Sequence, residues 1–189
     1  MDAAKKYPQR NDVVNESDLQ FIKSKFSGTT QIRELLLNEI KSLYYTEKAL
    51  SKAFPKMIKN ACSFELIEAI TIHHEETKNH ILRLEDVFLC FNENPILRRN
   101  HAIECLINEI DSIIDDTKFG SVRDAGIILN LSKIEHYEIA TYNVLSTYAA
   151  TINENAIAEL LAESLNEEKV TELRLNKIAD AIRFENFEF

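Results

Sequence analysis

Glutamates stand where a helical seam would ordinarily carry leucine. One stripe at 3–4 spacing reads Leu36, Ile40, Leu43, Glu47, Leu50, Phe54 and Met57. A second reads Ile128, Leu131, Glu135, Glu138, Tyr142, Leu145 and Ala149, and a third Ile157, Leu161, Leu165, Glu168, Glu172, Leu175, Ala179 and Ile182. Each stripe is apolar at both ends and acidic in the middle, so its acids fall on the face a helix buries. A fourth segment carries Glu76 and His80, with His73, at the edge of an apolar face set by Ile67, Ile70, Ile81, Leu84 and Phe88.

Buried acids need a counter-charge. Each unpaired buried ion costs on the order of several kcal/mol, against a domain stability of roughly 5–15 kcal/mol. No lysine or arginine falls on the central seam positions to neutralise them. Two divalent transition-metal ions would do so, and a set of carboxylates with an imidazole suits iron or manganese and admits zinc.

The levels of the acids along their helices agree with such a site. In an antiparallel hairpin, residues equidistant from the turn lie side by side. Glu47 and Glu76 are centred between Ala61 and Cys62, Glu138 and Glu168 on Asn153, and Glu135 and Glu172 between Asn153 and Glu154. A weak internal repeat gives the same register: His74-Glu75-Glu76-Thr77-Lys78 resembles Asn166-Glu167-Glu168-Lys169, and Tyr45-Thr46-Glu47 resembles Tyr137-Glu138. Among neighbouring groups, His73, His74 and His136 read as flanking or surface residues. Tyr44, Tyr45, Tyr137 and Tyr142 read mainly as packing aromatics whose phenols reach toward the acids.

The elements that must hold these residues are helices. Periodicity predicts helices over 32–58, 64–91, 101–117, 121–151 and 156–183. Pro55 is expected to kink the first. Ser63 is expected to cap the second, and Ser121-x-x-Asp124 to open the fourth as a capping box. The short connections near 61 and 153 make two antiparallel hairpins, and the long link between them, with its short helix, makes a crossover. The expected fold is all-α, a ferritin-like four-helix bundle over 30–189. Residues 1–29 read as a tail, or as a short docking helix through Leu19, Phe21, Ile22 and Phe26.

Composition narrows the function. The chain has 189 residues with only 3 Gly and 3 Pro, which excludes turn-rich β folds and glycine-rich nucleotide cradles. With 22 Lys+Arg against 31 Asp+Glu, the net charge of −9 argues against nucleic-acid or anionic-membrane partners. Three scattered cysteines form no CxxC, so neither a disulfide framework nor a zinc finger is expected. A polar start and the lack of a long apolar run predict a cytoplasmic protein.

Four stretches resemble the YciE/YciF ferritin-like family: LYYTEKALSKAFPKM (43–57), HHEETKNHILRLEDVF (73–88), IEHYEIATY (134–142) and LLAESLNEEKVTELRL (160–175). The resemblance covers about residues 31–182. It implies a ferritin-like bundle, a homodimer, a dimetal site and a role in stress. It also implies the ligand set Glu47, Glu76, His80, Glu135, Glu138, Glu168 and Glu172. Two features depart from the common ferritin-like pattern. Glu76-x-x-x-His80 replaces Glu-x-x-His, and the last helix holds no histidine. The expected function is a dimetal carboxylate protein handling iron, O₂ or peroxide. The alternatives are a manganese-catalase-like peroxide disproportionation, or a non-enzymatic storage or interaction bundle that metal merely locks.

Overall fold

The structure, a computed structural model, describes residues 29–182. Among them are five helices and no strand: α1 (Thr29–Asn60), α2 (Phe64–Cys90), α3 (His101–Asp116), α4 (Ser121–Thr151) and α5 (Asn155–Ala181). Of the expected tail or docking helix over 1–29, residues 1–28 lie outside the described residues, as does the chain beyond 182, while Thr29 already belongs to α1.

Local chemistry sets the ends. Ser63 caps α2, its Oγ accepting from the Leu66 amide at 3.4 Å. Both α2 and α4 stop in the same way, with an asparagine in left-handed geometry just past the end (Asn92 φ 56°, Asn153 φ 63°). The amides of Asn92 and Glu93 return to the carbonyls of Leu89 and Phe88, and those of Asn153 and Glu154 to Ala150 and Ala149. These reversed bonds satisfy carbonyls that the ending helix would otherwise orphan. Helix α1 runs through Pro55 to Asn60. Pro55 stands on the exposed side, where a carbonyl that loses its amide partner can turn to solvent.

The expected capping box at Ser121 does not form. Ser121 is already helical, and the cap position is Gly120, whose φ of 153° favours a residue without a Cβ. Asp124 is buried and turns the other way, accepting from the amides of Cys62 and Ser63 at 2.7 Å each. The carboxylate thus serves the entrance of α2, where the helix dipole favours a negative charge, and ties the α1–α2 turn to the start of α4.

Each long helix packs on two others in the ring α1, α2, α5, α4. Neighbours run antiparallel. Between α1 and α2, Tyr44 meets Glu85 while Ser51 meets His74. Between α2 and α5, Arg83 meets Glu163 while Thr171 meets Glu76. Helix α3 lies outside this ring against α1 and α4. Asn100 pins its start, its Oδ1 accepting from the Ala102 amide while its Nδ2 donates to Thr46 and to the Tyr137 hydroxyl.

The core is split along the ring axis. One apolar cluster gathers Leu36, Ile40, Leu43, Leu84, Phe88, Tyr142, Leu145 and Leu161. The other gathers Leu50, Phe54, Met57, Leu66, Ile70, Leu131, Ile134 and Leu175. In sequence, Glu47, His73, Glu138 and Glu168 fall between the two on their respective helices, so the seam acids form a layer with apolar packing above and below.

Candidate metal centre

Helix α1 supplies Glu47, α2 supplies His73 and His80, α4 supplies Glu135 and Glu138, and α5 supplies Glu168. All six are buried, at no more than 2% exposure. Their donor atoms fall into two groups, His73 with Glu135, Glu138 and Glu168, and Glu47 with His80 and Glu168. Within each group the atoms lie within 4.8 Å of one another. Glu168 belongs to both. Its Oε1 lies 3.0 Å from His80 Nδ1 and its Oε2 lies 3.8 Å from His73 Nε2. His73 Nε2 is 3.1 Å from Glu135, and His80 Nδ1 is 3.3 Å from Glu47.

These atoms are near one another yet not aligned to bond one another. Both carboxylate oxygens of Glu135, Glu138 and Glu168 lack a hydrogen-bond partner, as do Glu47 Oε2, His73 Nε2 and His80 Nδ1. Buried polar atoms are almost always satisfied, so nine orphaned donor atoms on the six residues of these two groups fit a cation. Charge agrees. Four carboxylates with imidazoles neutral, as metal ligands must be, carry the charge that two divalent cations cancel. No lysine or arginine among the described residues makes an ion pair with these four glutamates.

Without metal, protons must balance the same charge. Burial pulls the imidazoles down, but facing carboxylates outweigh it. Glu135 and Glu168 hold His73 well above its ordinary value, and Glu47 and Glu168 hold His80 up to about 10. Burial pushes Glu138 well up, with Glu168, Glu47 and Glu135 adding repulsion. Burial likewise raises Glu168 to about 7, with His73 partly opposing it. The buried Tyr142 phenol donates to Glu47, and burial followed by repulsion from Glu47 keeps it protonated.

Five of the seven residues predicted from sequence come together here: Glu47, His80, Glu135, Glu138 and Glu168. Glu76 and Glu172 stand outside both groups. Glu76 accepts from Thr171 at 3.0 Å and lies 3.5 Å from His73 Nδ1, while Glu172 lies 3.4 Å from His136. His73, expected at the margin, is at the centre. The phase of α2 explains the exchange. Its buried side runs Leu66, Ile70, His73, Thr77, His80, Leu84 and Phe88. That unbroken 3–4 stripe passes through both histidines and misses Glu76 by one position. The expected pairing of Glu47 with Glu76 is displaced accordingly, and Glu47 meets His80 one turn further on.

Two outer residues also escaped the sequence reading. Glu167 Oε2 lies 2.8 Å from His80 Nε2 and is gripped by Arg83. Thr171 sits between His73 and Glu76. No helix among the described residues is long and apolar enough to cross a membrane.

Comparison with known proteins finds relatives of this chain. Residues 31–187 match the family described as "Domain of unknown function (DUF892)". Protein YciF of Escherichia coli K12 is 35% identical over 149 residues, covering 78% of this chain and 90% of that protein. The crystal structure of the E. coli stress protein YciF superposes with a TM-score of 0.76 at 34% identity, covering 79% of this chain and 94% of that one. YcfI from Rhodopseudomonas palustris, described as a candidate structural protein, superposes with a TM-score of 0.74 at 37% identity, over 77% of this chain and 92% of that one.

Proposed function

The chain belongs to the DUF892 family, and on that premise we propose that it is a ferritin-like dimetal carboxylate protein that handles iron, O₂ or peroxide during stress. The observation that carries this reading is the nine orphaned, buried donor atoms of Glu47, His73, His80, Glu135, Glu138 and Glu168. Iron or manganese, bound there, would supply redox chemistry that no side chain of this cluster can provide alone. Glu168, common to both donor groups, is the candidate bridge. The protein's own part is to fix the donors, to hold Glu47 through the Tyr142 hydroxyl, and to keep bulk water out between two apolar clusters. The stress role is carried over from the description of the YciF relative. A ferritin-like bundle over 30–189, a homodimer and a cytoplasmic setting belong to the same proposal.

The test is elemental analysis of protein purified without chelator, followed by titration of metal-free protein with Fe(II) and Mn(II). About two ions per chain are expected. Protein that arrives without metal and takes up neither ion overturns the reading. A second reading, in which the metal only locks the helices, draws on the description of the R. palustris relative as a candidate structural protein. Redox turnover of the loaded protein separates the two.

A further inference from the structure

We propose that Glu76 and Glu167 are positioning residues that set the two histidines in opposite tautomers, so that His73 offers Nε2 and His80 offers Nδ1 to the metal pair. The inference rests on the metal reading above and adds to it the group that orients each imidazole.

Both rings lie on the buried side of α2, yet they face the cluster with different nitrogens. The inward atoms are His73 Nε2 and His80 Nδ1, the two ring nitrogens left without a hydrogen-bond partner. The outward atoms both meet oxygen. His80 Nε2 lies 2.8 Å from Glu167 Oε2. An ionised carboxylate only accepts, so in the neutral ring that a metal requires the nitrogen facing it carries the proton and the opposite nitrogen keeps its lone pair. Glu167 is itself fixed, because Arg83 donates to both its oxygens, at 2.6 and 2.8 Å. Arg83 is anchored in turn by Ser164 at 3.2 Å and Glu163 at 2.8 Å.

The arrangement at His73 is analogous and looser. Its Nδ1 faces Glu76 Oε2 at 3.5 Å and Thr171 Oγ1 at 3.4 Å. Thr171 donates its hydroxyl proton to Glu76 at 3.0 Å, so toward His73 it can only accept. Either partner requires the proton on Nδ1 and leaves Nε2 for the cluster. Arg174, 3.9 Å from Glu76, stands where Arg83 stands beside Glu167. Outer carboxylates of this kind fix ring orientation and raise ligand basicity, and their loss typically costs about 10–100-fold in metal affinity.

Zinc serves as a diamagnetic probe on the full-length protein with ¹⁵N-labelled histidine. At saturation, two-bond nitrogen–proton correlations should show one imidazole bound through Nδ1 with its proton on Nε2, and one with the reverse. His73→Gln and His80→Gln assign them. Glu167→Ala should weaken Zn(II) binding about 10–100-fold, and Glu167→Gln, which keeps an acceptor, should recover part of that loss. Glu109→Gln, at an exposed glutamate that pairs with Lys133 and touches neither imidazole, should bind as wild type does. Two imidazoles bound through the same nitrogen, or undiminished affinity in Glu167→Ala, would overturn the proposal while leaving the metal centre standing. Histidine signals that zinc does not move at all overturn both.

Discussion

Glu168 reaches His80 with one carboxylate oxygen, at 3.0 Å, and turns the other toward the opposite histidine, His73, at 3.8 Å. No other side chain belongs to both donor groups among the described residues. Its position on α5 follows from the stripe that carries Leu161, Leu165 and Leu175, which drives the same face into the ring. Glu168 is therefore where the two groups are coupled.

Stoichiometry should report that coupling. Glu168→Ala removes a donor from both groups, so metal content should fall well below the about two ions per chain expected of wild type. Glu47→Ala strips one of three donors from the His80 group and leaves the His73 group with four, so about one tightly held ion should remain. Elemental analysis after dialysis measures this. Equal loss in the two variants would contradict a shared Glu168.

Metal-free stability should decline as pH rises. Glu138, Glu168, His73 and His80 are all held above their ordinary values in the folded chain. The native state then binds protons that the unfolded chain releases. The contribution of Glu168 is complete below its unfolded value of about 4.3, and is lost as pH rises through about 7. That of His80 is complete below about 6.5, and is lost as pH rises through about 10. Melting temperatures in chelator should therefore fall between pH 5 and 10, and Glu138→Gln should show a shallower fall. Metal affinity should move oppositely, since binding displaces these protons. A flat chelator profile in wild type would count against the buried cluster.

Asp124 gives a stability test outside the site. Its carboxylate accepts from the amides of Cys62 and Ser63 at 2.7 Å each, and Asp124→Ala leaves both without that partner. The expected cost is about 2–3 kcal/mol, read as a lower urea midpoint. Asp124→Asn should lose less, and neither change should alter metal stoichiometry. A midpoint within error of wild type would show that the turn does not depend on this tie.

Three of the four seams were readable because apolar residues on both sides of the acids fix the helical phase. Leu43 and Leu50 bracket Glu47, Leu131 and Leu145 bracket Glu135 and Glu138, and Leu165 and Leu175 bracket Glu168. In α2 the inward run contains His73, Thr77 and His80, so three successive positions of that stripe are polar. Nearby Ile67 and Ile81 then pulled the phase toward Glu76. Glu172 stands outside both groups for a related reason. It continues the 3–4 spacing from Glu168, but the stripe reaches Leu175 through the buried Thr171. The capping-box pattern at Ser121 and Asp124 failed because the buried carboxylate was recruited by the amides of Cys62 and Ser63 in the α1–α2 turn, which local sequence cannot reveal.

Gly126 of α4 lies against Ile113 of α3. A Cβ added there would lie 2.6 Å from Ile113 Cγ2 and 3.1 Å from its Cδ1. Alanine is better than glycine within a helix by about 1 kcal/mol, yet the overlap falls on a β-branched side chain with little rotamer freedom. Gly126→Ala should therefore destabilise, and adding Ile113→Ala should make the same change favourable. Denaturation of the two single variants and the double variant measures the coupling, and additive effects would refute the contact.

The last prediction asks whether the centre turns over or only braces the helices. Loaded with iron or manganese, wild type should oxidise Fe(II) or consume peroxide. If the reaction needs both donor groups, activity should fall faster than metal content. Glu47→Ala, holding about half the metal, should then run more than about tenfold slower per chain, because the His80 group has lost one of its three donors. Activity per bound ion, compared across wild type, Glu47→Ala and Glu168→Ala at measured occupancy, is the deciding quantity. A bracing role predicts a different pattern, in which loading raises the melting temperature of wild type by mass action while peroxide and Fe(II) are consumed no faster than by the free ion. Wild type that is fully loaded, thermally stabilised and inert toward both substrates would leave a metal-locked helical bundle and remove the oxidase and catalase readings together.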